Sequence, residues 1–571
     1  GEPLLVAAVP HATTTSIPRG AATTLLAAQY KNLAADAYRA NIAAPTGSGR
    51  SLGGIRFGGV TYTWRNNAGG TAANIWKSTG SGWTQVTLFN EISFTAGAVA
   101  TPAEGAVLTQ GGVTATLKRV ALTSGAFLSG NAAGRFIITN PAGGNFAAGA
   151  ATLTGGVTCT LSGIQTAITL LPSGRYEMVV ENFAGGLSTK RIYGCDGVNR
   201  GFEFDGTVLV PISTGMTTDA PSHVTAHKKH LFFSFFGSVQ HSGPGFPYVW
   251  SVIFGAAEIG MGDTVNGFAT QPGSEGTGAL AIFTRNLTSI LYGTGVSNWQ
   301  LTAYREELGA YPYTIQELSR TMFLDDLGVT TFQTAQAFGN FSHAAITARL
   351  KKWINTKRVI AVDSCVVRDK SQYRLFFSDG YALYITMSGN KVVGMTPVLF
   401  PNPVTWSYSS EEADGTETIF FGSSNGMVYQ MEKGTSFDGE VITYGMDLAW
   451  DFLKTPRLIK HFHDIMLEVI GLGYAEFSLS WILDYGSTDT LQPTSQSKVA
   501  EFSQALWDGG GFWDTGLVWD GTTLLPVIAD MGGCEGVNIS LSIRGSSDYH
   551  EAIRFSGAVI HYSPRREARN A

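Results

Sequence analysis

Phe376-Phe-Ser-Asp-Gly-Tyr-Ala-Leu-Tyr384 is an aromatic strand, an Asp-Gly turn and a second aromatic strand, and Phe420-Phe-Gly-Ser-Ser-Asn-Gly-Met-Val-Tyr429 repeats the formula around Asn-Gly. Both dipeptides tolerate positive φ, which matches a tight turn to the right-handed twist of its flanking strands. A lone hairpin is marginal in water, so units of this kind must stack on others like themselves. The turn glycines Gly380 and Gly426 lie 46 residues apart, the length of a four-stranded propeller blade.

Working outward, related units recur. Tyr193-Gly-Cys-Asp-Gly197 leads to Phe202-Glu-Phe-Asp-Gly206, and Leu231-Phe-Phe-Ser-Phe-Phe-Gly237 is another aromatic strand. Leu291-Tyr-Gly-Thr-Gly295 leads to Trp299, and Met322-Phe-Leu-Asp-Asp-Leu-Gly328 to Phe332. Nearer the start, Gly58-Gly-Val-Thr-Tyr-Thr-Trp64 and Trp83-Thr-Gln-Val-Thr-Leu88 alternate apolar and polar residues. The Ile75–Trp83 hairpin between them resembles the Asp-box turn of sialidase-like propellers without its aspartate. The expectation is an all-β chain with a β-propeller of six or seven blades, formed by 54–91 and 169–444. One helix interrupts it, carried by the stripe Ile346, Leu350, Trp353 and Ile354.

Residues 92–168 carry repeats of their own. Gly111-Gly-Val-Thr-Ala-Thr-Leu117 returns as Gly155-Gly-Val-Thr-Cys-Thr-Leu161, and Gly125-Ala-Phe-Leu-Ser-Gly130 as Gly144-Asn-Phe-Ala-Ala-Gly149. Short, glycine-punctuated strands of this kind imply a small β-barrel or sandwich inserted in the propeller. In the segment 1–53, Leu26, Tyr30, Leu33 and Ala37 sit at helical spacing near 21–40, ahead of a Pro/Gly/Ser linker. From 445 to 571 the strands lengthen: Phe477-Ser-Leu-Ser-Trp481 and Val537-Asn-Ile-Ser-Leu-Ser-Ile543 alternate strictly, as half-buried strands of a C-terminal β-sandwich do.

Hydrophobic residues make up 44% of the 571 and charged residues only 14%, against about 25% in an ordinary soluble domain. So sparse a charge implies that much of the surface faces other protein subunits. The net charge of −6 argues against a free-standing duplex binder, which needs a basic face. No apolar run is long enough to span a bilayer, no signal peptide is visible, and the Gly1 start fits a trimmed initiator or a cut chain. Cys159, Cys195, Cys365 and Cys534 lack paired spacing and read as buried thiols of a reduced compartment.

No catalytic, cofactor or metal constellation is expected. Gly273-Ser-Glu-Gly-Thr-Gly278 lacks the lysine of a phosphate loop, and no Gly-x-Ser-x-Gly elbow has its histidine and acid. His461-Phe-His463-Asp464 sets two imidazoles on one strand face without further ligands and reads as surface histidines. His227-Lys-Lys-His230 reads as the solvated start of a hydrophobic strand. Trp507-Asp508, Trp513-Asp514 and Trp519-Asp520 either stack on sugars or pin loops against the C-terminal sheet, and the second reading is favoured. Arg565, Arg566 and Arg569 form a basic tail expected to meet neighbouring subunits.

Several stretches resemble phage structural proteins: Gly255-Ala-Ala-Glu-Ile-Gly-Met-Gly-Asp263, Leu280–Gly293, Gly434-Thr-Ser-Phe-Asp-Gly439, the Trp-Asp triplet and His561-Tyr-Ser-Pro-Arg-Arg566. Over roughly 170–570 the chain resembles the tail nozzle proteins of short-tailed bacteriophages, also described as tail tubular or packaged-DNA-stabilisation proteins. The resemblance implies a non-enzymatic virion protein, made in the host cytoplasm. It implies a homo-hexameric ring below the portal and adaptor, touching tail fibres or spikes, that retains double-stranded DNA and conducts it during ejection without stable membrane insertion. An acidic chain repeated around a channel would present phosphate with a neutral or negative lining. The other readings are a receptor- or glycan-binding propeller and a baseplate or tail-hub component.

Overall fold

The computed structural model describes residues 43–271, 278–306, 308–332, 346–389, 391–433, 436–438, 440–471, 474–501, 524–546 and 553–567. They fall into two compact units, which part after Glu432. The expected helix near 21–40, the Gly273–Gly278 stretch up to Thr277 and the Trp-Asp triplet lie outside the described residues.

The first unit is a β-propeller of seven antiparallel blades. The first blade runs from the strand Ser48–Phe57 to Gly82–Gln85, and the second from Glu177–Glu181 to Leu209–Pro211. The third runs from Val224–His227 to Ala257–Gly260 and the fourth from Val265–Thr270 to Gln300–Glu306. The fifth has three strands, from Gln316–Glu317 to Gly328–Thr331. The sixth runs from Ala361–Val367 to Lys391–Leu399, and the seventh, again of three strands, from Val404–Glu411 to Val428–Gln430. The two echoing hairpins are the middle of the sixth blade and the end of the seventh; Gly380 and Gly426 turn at φ 90° and 82°.

A blade is packed on both faces, and this explains why its strands do not alternate. In Leu231-Phe-Phe-Ser-Phe235, Leu231, Phe233 and Phe235 enter the core shared with the second blade, while Phe232 enters the core shared with the fourth. The interrupting helix, Lys351–Lys357, buries Ile354 against the fifth and sixth blades, with Ile346, Leu350 and Trp353 half-buried beside it.

The first blade starts at Ser48, ahead of the expected 54. The reason is steric. A Cβ on Gly53 would lie 2.5 Å from the Tyr176 Cβ, and one on Gly54 2.1 Å from the Trp406 ring. Small residues there let the innermost strand pass close to its neighbours, and they remove the apolar pattern that would have marked it.

Among the described residues no strand is exchanged between the first and last blades, and side chains join them. Trp406 of the seventh blade donates its indole N–H to Ser51 Oγ of the first (2.6 Å), and Thr405 Oγ1 donates to the Ser51 carbonyl (2.8 Å). Arg56 grips Glu412 with two nitrogens, at 2.5 and 2.8 Å. The Asn425-Gly426 turn lies against Arg65, whose guanidinium reaches the carbonyls of Pro45, Gly49 and Asn425. A Cβ on Gly426 would fall 2.2 Å from that guanidinium.

Between the first two blades, six strands from Asn90–Ala98 to Val157–Leu161 close into a barrel. Its repeats are structural. Gly111-Gly112 and Gly155-Gly156 turn equivalent hairpins, and Phe127 and Phe146 both plug the core, where Phe94 stacks on Phe136 at 3.9 Å. Two buried arginines fasten the barrel to the second blade. Arg119 meets Glu203 at 2.5 Å, together with Asp205 and Glu104, and Arg135 bridges Glu91 (2.6 Å) and the Pro211 carbonyl (2.6 Å).

The second unit is a β-sandwich. One sheet orders Thr443–Asp447, Ile539–Ser546, Tyr474–Leu483 and Gln496–Glu501. The other centres on Leu458–Ile470, flanked by Leu524–Asp530 and Arg554–Glu567. Phe477, Leu479, Trp481 and Leu483 point into the shared core, as strict alternation requires. The buried Lys460 amine is satisfied by the carbonyls of Thr455, Leu458 and Val537.

Candidate functional site

The innermost strands of six blades enclose a polar cavity of about 310 Å³ on the propeller axis. Several of its charges are paired internally. Arg175 meets Asp363 at 2.6 Å and lies over the Tyr313 ring at 4.7 Å. Asp363 also accepts the Ser407 hydroxyl, and burial pushes its carboxyl up to about 6 against the pull of Arg175. His223 Nδ1 sits 2.7 Å from Glu177, whose other oxygen accepts the Val224 N–H. Tyr313 holds this corner at φ 60°, a left-handed conformation for a non-glycine residue, while its carbonyl accepts the Ser364 hydroxyl. Gln316 donates to the Ser364 carbonyl at 2.8 Å. The one thiol in the lining, Cys365, is pushed up to about 12 by burial, so it stays protonated and unreactive at neutral pH.

A second polar cluster lies between the third and fourth blades. His227, His230 and His241 are buried around Trp299, with the rings of His230 and His241 4.7 Å apart. This corrects the reading of His227-Lys-Lys-His230 as a solvated strand start. Lys228 and Lys229 take the turn at positive φ, and the flanking histidines turn inward. His241 is fixed as a neutral tautomer: Nδ1–H faces the Ser242 carbonyl and Nε2 accepts the Trp299 N–H at 3.1 Å. His227 Nε2 and His230 Nε2 are buried with no hydrogen-bond partner. Burial pushes His227 and His241 down to about 4, and His230 down as well. Sequence spacing could pair the first two histidines but not place His241 beside them.

In the sandwich, the strand Leu458–Ile470 puts His461 and His463 on one face. His461 faces Glu535 at 3.4 Å, His463 Nε2 meets Ser563 Oγ at 2.7 Å, and Asp464 pairs with His561 at 2.6 Å. Arg565 lies 3.4 Å from Glu535 of its own chain. The side chain of Arg566 and the whole of Arg569 are outside the described residues. Among the described residues no three His, Cys, Asp or Glu side chains converge as metal ligands, and no helix is long and apolar enough to cross a membrane.

No protein family and no curated protein matches the chain. Among solved structures it is similar to a chain in the crystal structure of BBS1N in complex with ARL6DN, at 11% identity over 60% of this chain and 96% of that one, TM-score 0.31. A chain of the mitotic checkpoint complex matches at 9% identity over 56% and 85%, TM-score 0.31. The WD40 β-propeller domain of Doa1 matches at 9% over 42% and 88%, TM-score 0.26.

Proposed function

We propose that the chain is a structural virion protein, a subunit of the ring-shaped tail nozzle of a short-tailed bacteriophage that holds packaged DNA and conducts it on ejection. The observation that carries this reading is a charge-poor surface with apolar side chains in the open. On one turn of the third blade Val252, Ile253 and Phe254 are 75%, 90% and 50% exposed, and Phe246 beside them 62%. Scattered apolar residues are ordinary on a monomer, but a contiguous group on a projecting turn marks a contact with another protein. The axial cavity supports a non-enzymatic role, because Arg175 is spent on Asp363 and Glu177 on His223 behind it. The resemblance over roughly 170–570 supplies the identity of the assembly.

The test is mass under native conditions. A ring of 60.8 kDa subunits, six by this reading, supports the proposal; a single species of subunit mass at micromolar concentration refutes it. The polar axial cavity favours one alternative, a glycan-binding propeller. That reading requires saturable binding of a free glycan, abolished by Arg175→Ala.

A further inference from the structure

We propose that the C-terminal sandwich carries a binding site of its own, an aromatic platform formed by Tyr485, Trp450 and Phe452, whose ligand is a neutral polysaccharide. The site is separate from the axial cavity and does not depend on the ring reading.

Two loops build it. One follows the strand Tyr474–Leu483 and the other precedes the strand Leu458–Ile470. Each holds two successive non-glycine residues in the left-handed conformation: Asp484 and Tyr485 at φ 47° and 57°, and Leu453 and Lys454 at 48° and 64°. Such backbone is sparsely populated, persists only where its surroundings fix it, and gathers at ligand sites. Here the Asp484 side chain does the fixing. Its Oδ1 accepts the Val537 and Asn538 N–H groups at 2.6 and 3.4 Å, and its Oδ2 accepts the Thr490 hydroxyl at 2.9 Å. The other loop is tied to the same stretch of chain. Asp451 N–H donates to the Ile539 carbonyl at 2.9 Å, and Ile539 N–H donates to the Asp451 carbonyl at 3.1 Å.

The strained turn presents a ring to solvent. Tyr485 is 63% exposed, and it meets Trp450 at 4.9 Å with a tilt of 48° and Phe452 edge-on at 6.3 Å. Trp450 and Phe452 are half-buried, so they back the tyrosine and keep part of their own surface open.

The surroundings select the occupant. An aromatic ring has an electron-rich face, against which the C–H face of a sugar ring packs. Residues 448–455 and 484–490 carry three acids, Asp451, Asp484 and Asp489, against one lysine, Lys454. Asp451 and Asp489 are exposed and offer carboxylate oxygens to sugar hydroxyls. The same acids repel phosphate, which disfavours a nucleic acid: its bases stack on rings, but its backbone requires cations. A protein partner needs about 800 Å² on each side. Three aromatic side chains of about 150–250 Å² each, two of them half-buried, present less than that, and a short run of sugar rings needs no more.

The probe is an array of neutral oligosaccharides of glucose, galactose, mannose and N-acetylhexosamines, applied to the full chain, with each hit titrated in solution. The native chain and Arg175→Ala should bind the same sugar alike. Tyr485→Asn should weaken that binding about tenfold. Asparagine tolerates the left-handed backbone, so the urea midpoint and the native assembly should stay as they are. Tyr485→Leu keeps an apolar side chain over Trp450 without a ring and should lose binding too, while Tyr485→Phe should bind close to the native affinity. If no sugar of the array binds at millimolar concentration, the proposal is overturned. Binding that survives Tyr485→Asn overturns it as well, and binding abolished by Arg175→Ala would assign the sugar to the axial cavity instead. Assemblies that fall apart in Tyr485→Asn without any sugar binding would make the platform a subunit contact and overturn the proposal in favour of that role.

Discussion

Acid should loosen the seam between the third and fourth blades, by an amount the buried histidines set. His227 and His241 bind a proton at about 6.5 when the chain is unfolded but only at about 4 when it is folded. Between those values the unfolded state carries the extra protons, so stability rises with pH. Their contribution is complete above pH 6.5 and is lost as the pH falls towards 4. At pH 5 the loss is about 2 kcal/mol for each ring, about 4 for the pair, against a total stability of about 5–15 kcal/mol for a domain. Two carboxyls act the other way. Burial holds Asp325 and Asp363 up at about 6, so acid stabilises the fold through them by about 1.4 kcal/mol each at pH 5. The two carboxyls offset about 2.8 of the 4 kcal/mol, and others such as Asp205 and Glu432 are held low and act with the histidines, so a simple pH scan of unfolding does not isolate the rings. The informative quantity is a difference. His227→Gln/His241→Gln and the native chain are unfolded in urea at pH 7.5 and pH 5, with hydrogen exchange followed in the strands His230–Phe235 and Leu287–Tyr292. The gap between the two proteins should shift by about 4 kcal/mol in favour of the variant as the pH falls. A gap that stays constant with pH would refute the argument, whatever its size.

Other consequences follow from the seams. Trp406→Ala should cost about 3–5 kcal/mol, read as a lower urea midpoint for the propeller, because it empties the space between Gly54 and Gly422 and strips Ser51 of its indole partner. Arg119→Met should cost about 3 kcal/mol, because it removes the nearer cation of buried Glu203 and leaves only Arg191 at 3.6 Å; limited proteolysis should then cut the links between barrel and blades earlier than in the native chain. Truncation after Pro564, which removes Arg565, Arg566 and Arg569, should lower the native ring population more than it changes DNA retention. Intact rings that lose salt-sensitive DNA binding would place those arginines against DNA instead.

The propeller was legible because its turns are chemical. Asp379-Gly380 and Asn425-Gly426 need positive φ, and a sequence displays that need directly. The barrel was legible through its doubled glycine pairs. The first strand was hidden because close approach demands Gly53 and Gly54, which have no side chain to show a pattern. The closure of the ring was hidden for another reason: Trp406 and Ser51, or Arg56 and Glu412, are brought together only when seven blades complete a circle. The histidine cluster had a local signal in His227 and His230, but two lysines between them pointed to solvent. A lysine in a tight turn says where the turn faces and nothing about its flanks.

Several of the few charges of this chain are buried inside it. Arg65, Arg119, Arg135, Arg374 and Lys460 are all buried. Arg65 ends on three carbonyls, Arg374 on Gln372 and Glu432 beneath the Tyr384 ring, and Lys460 on three more carbonyls. Such pairs add little net stability over well-packed apolar residues, yet breaking one is costly, so they act as pins that fix which strand meets which. Arg65, Arg119 and Arg135 stand at junctions: first blade to last, and barrel to second blade. A chain with 14% charged residues that also buries five of its 38 lysines and arginines thins an already sparse surface charge a little further. For the nozzle reading the consequence is mechanical. Duplex DNA presents a charge every ~1.7 Å and clings to any face that offers several lysines or arginines. On that reading, a tube built from a chain of net charge −6 that holds five of its cations in its own seams should give the strand little to cling to on the way out.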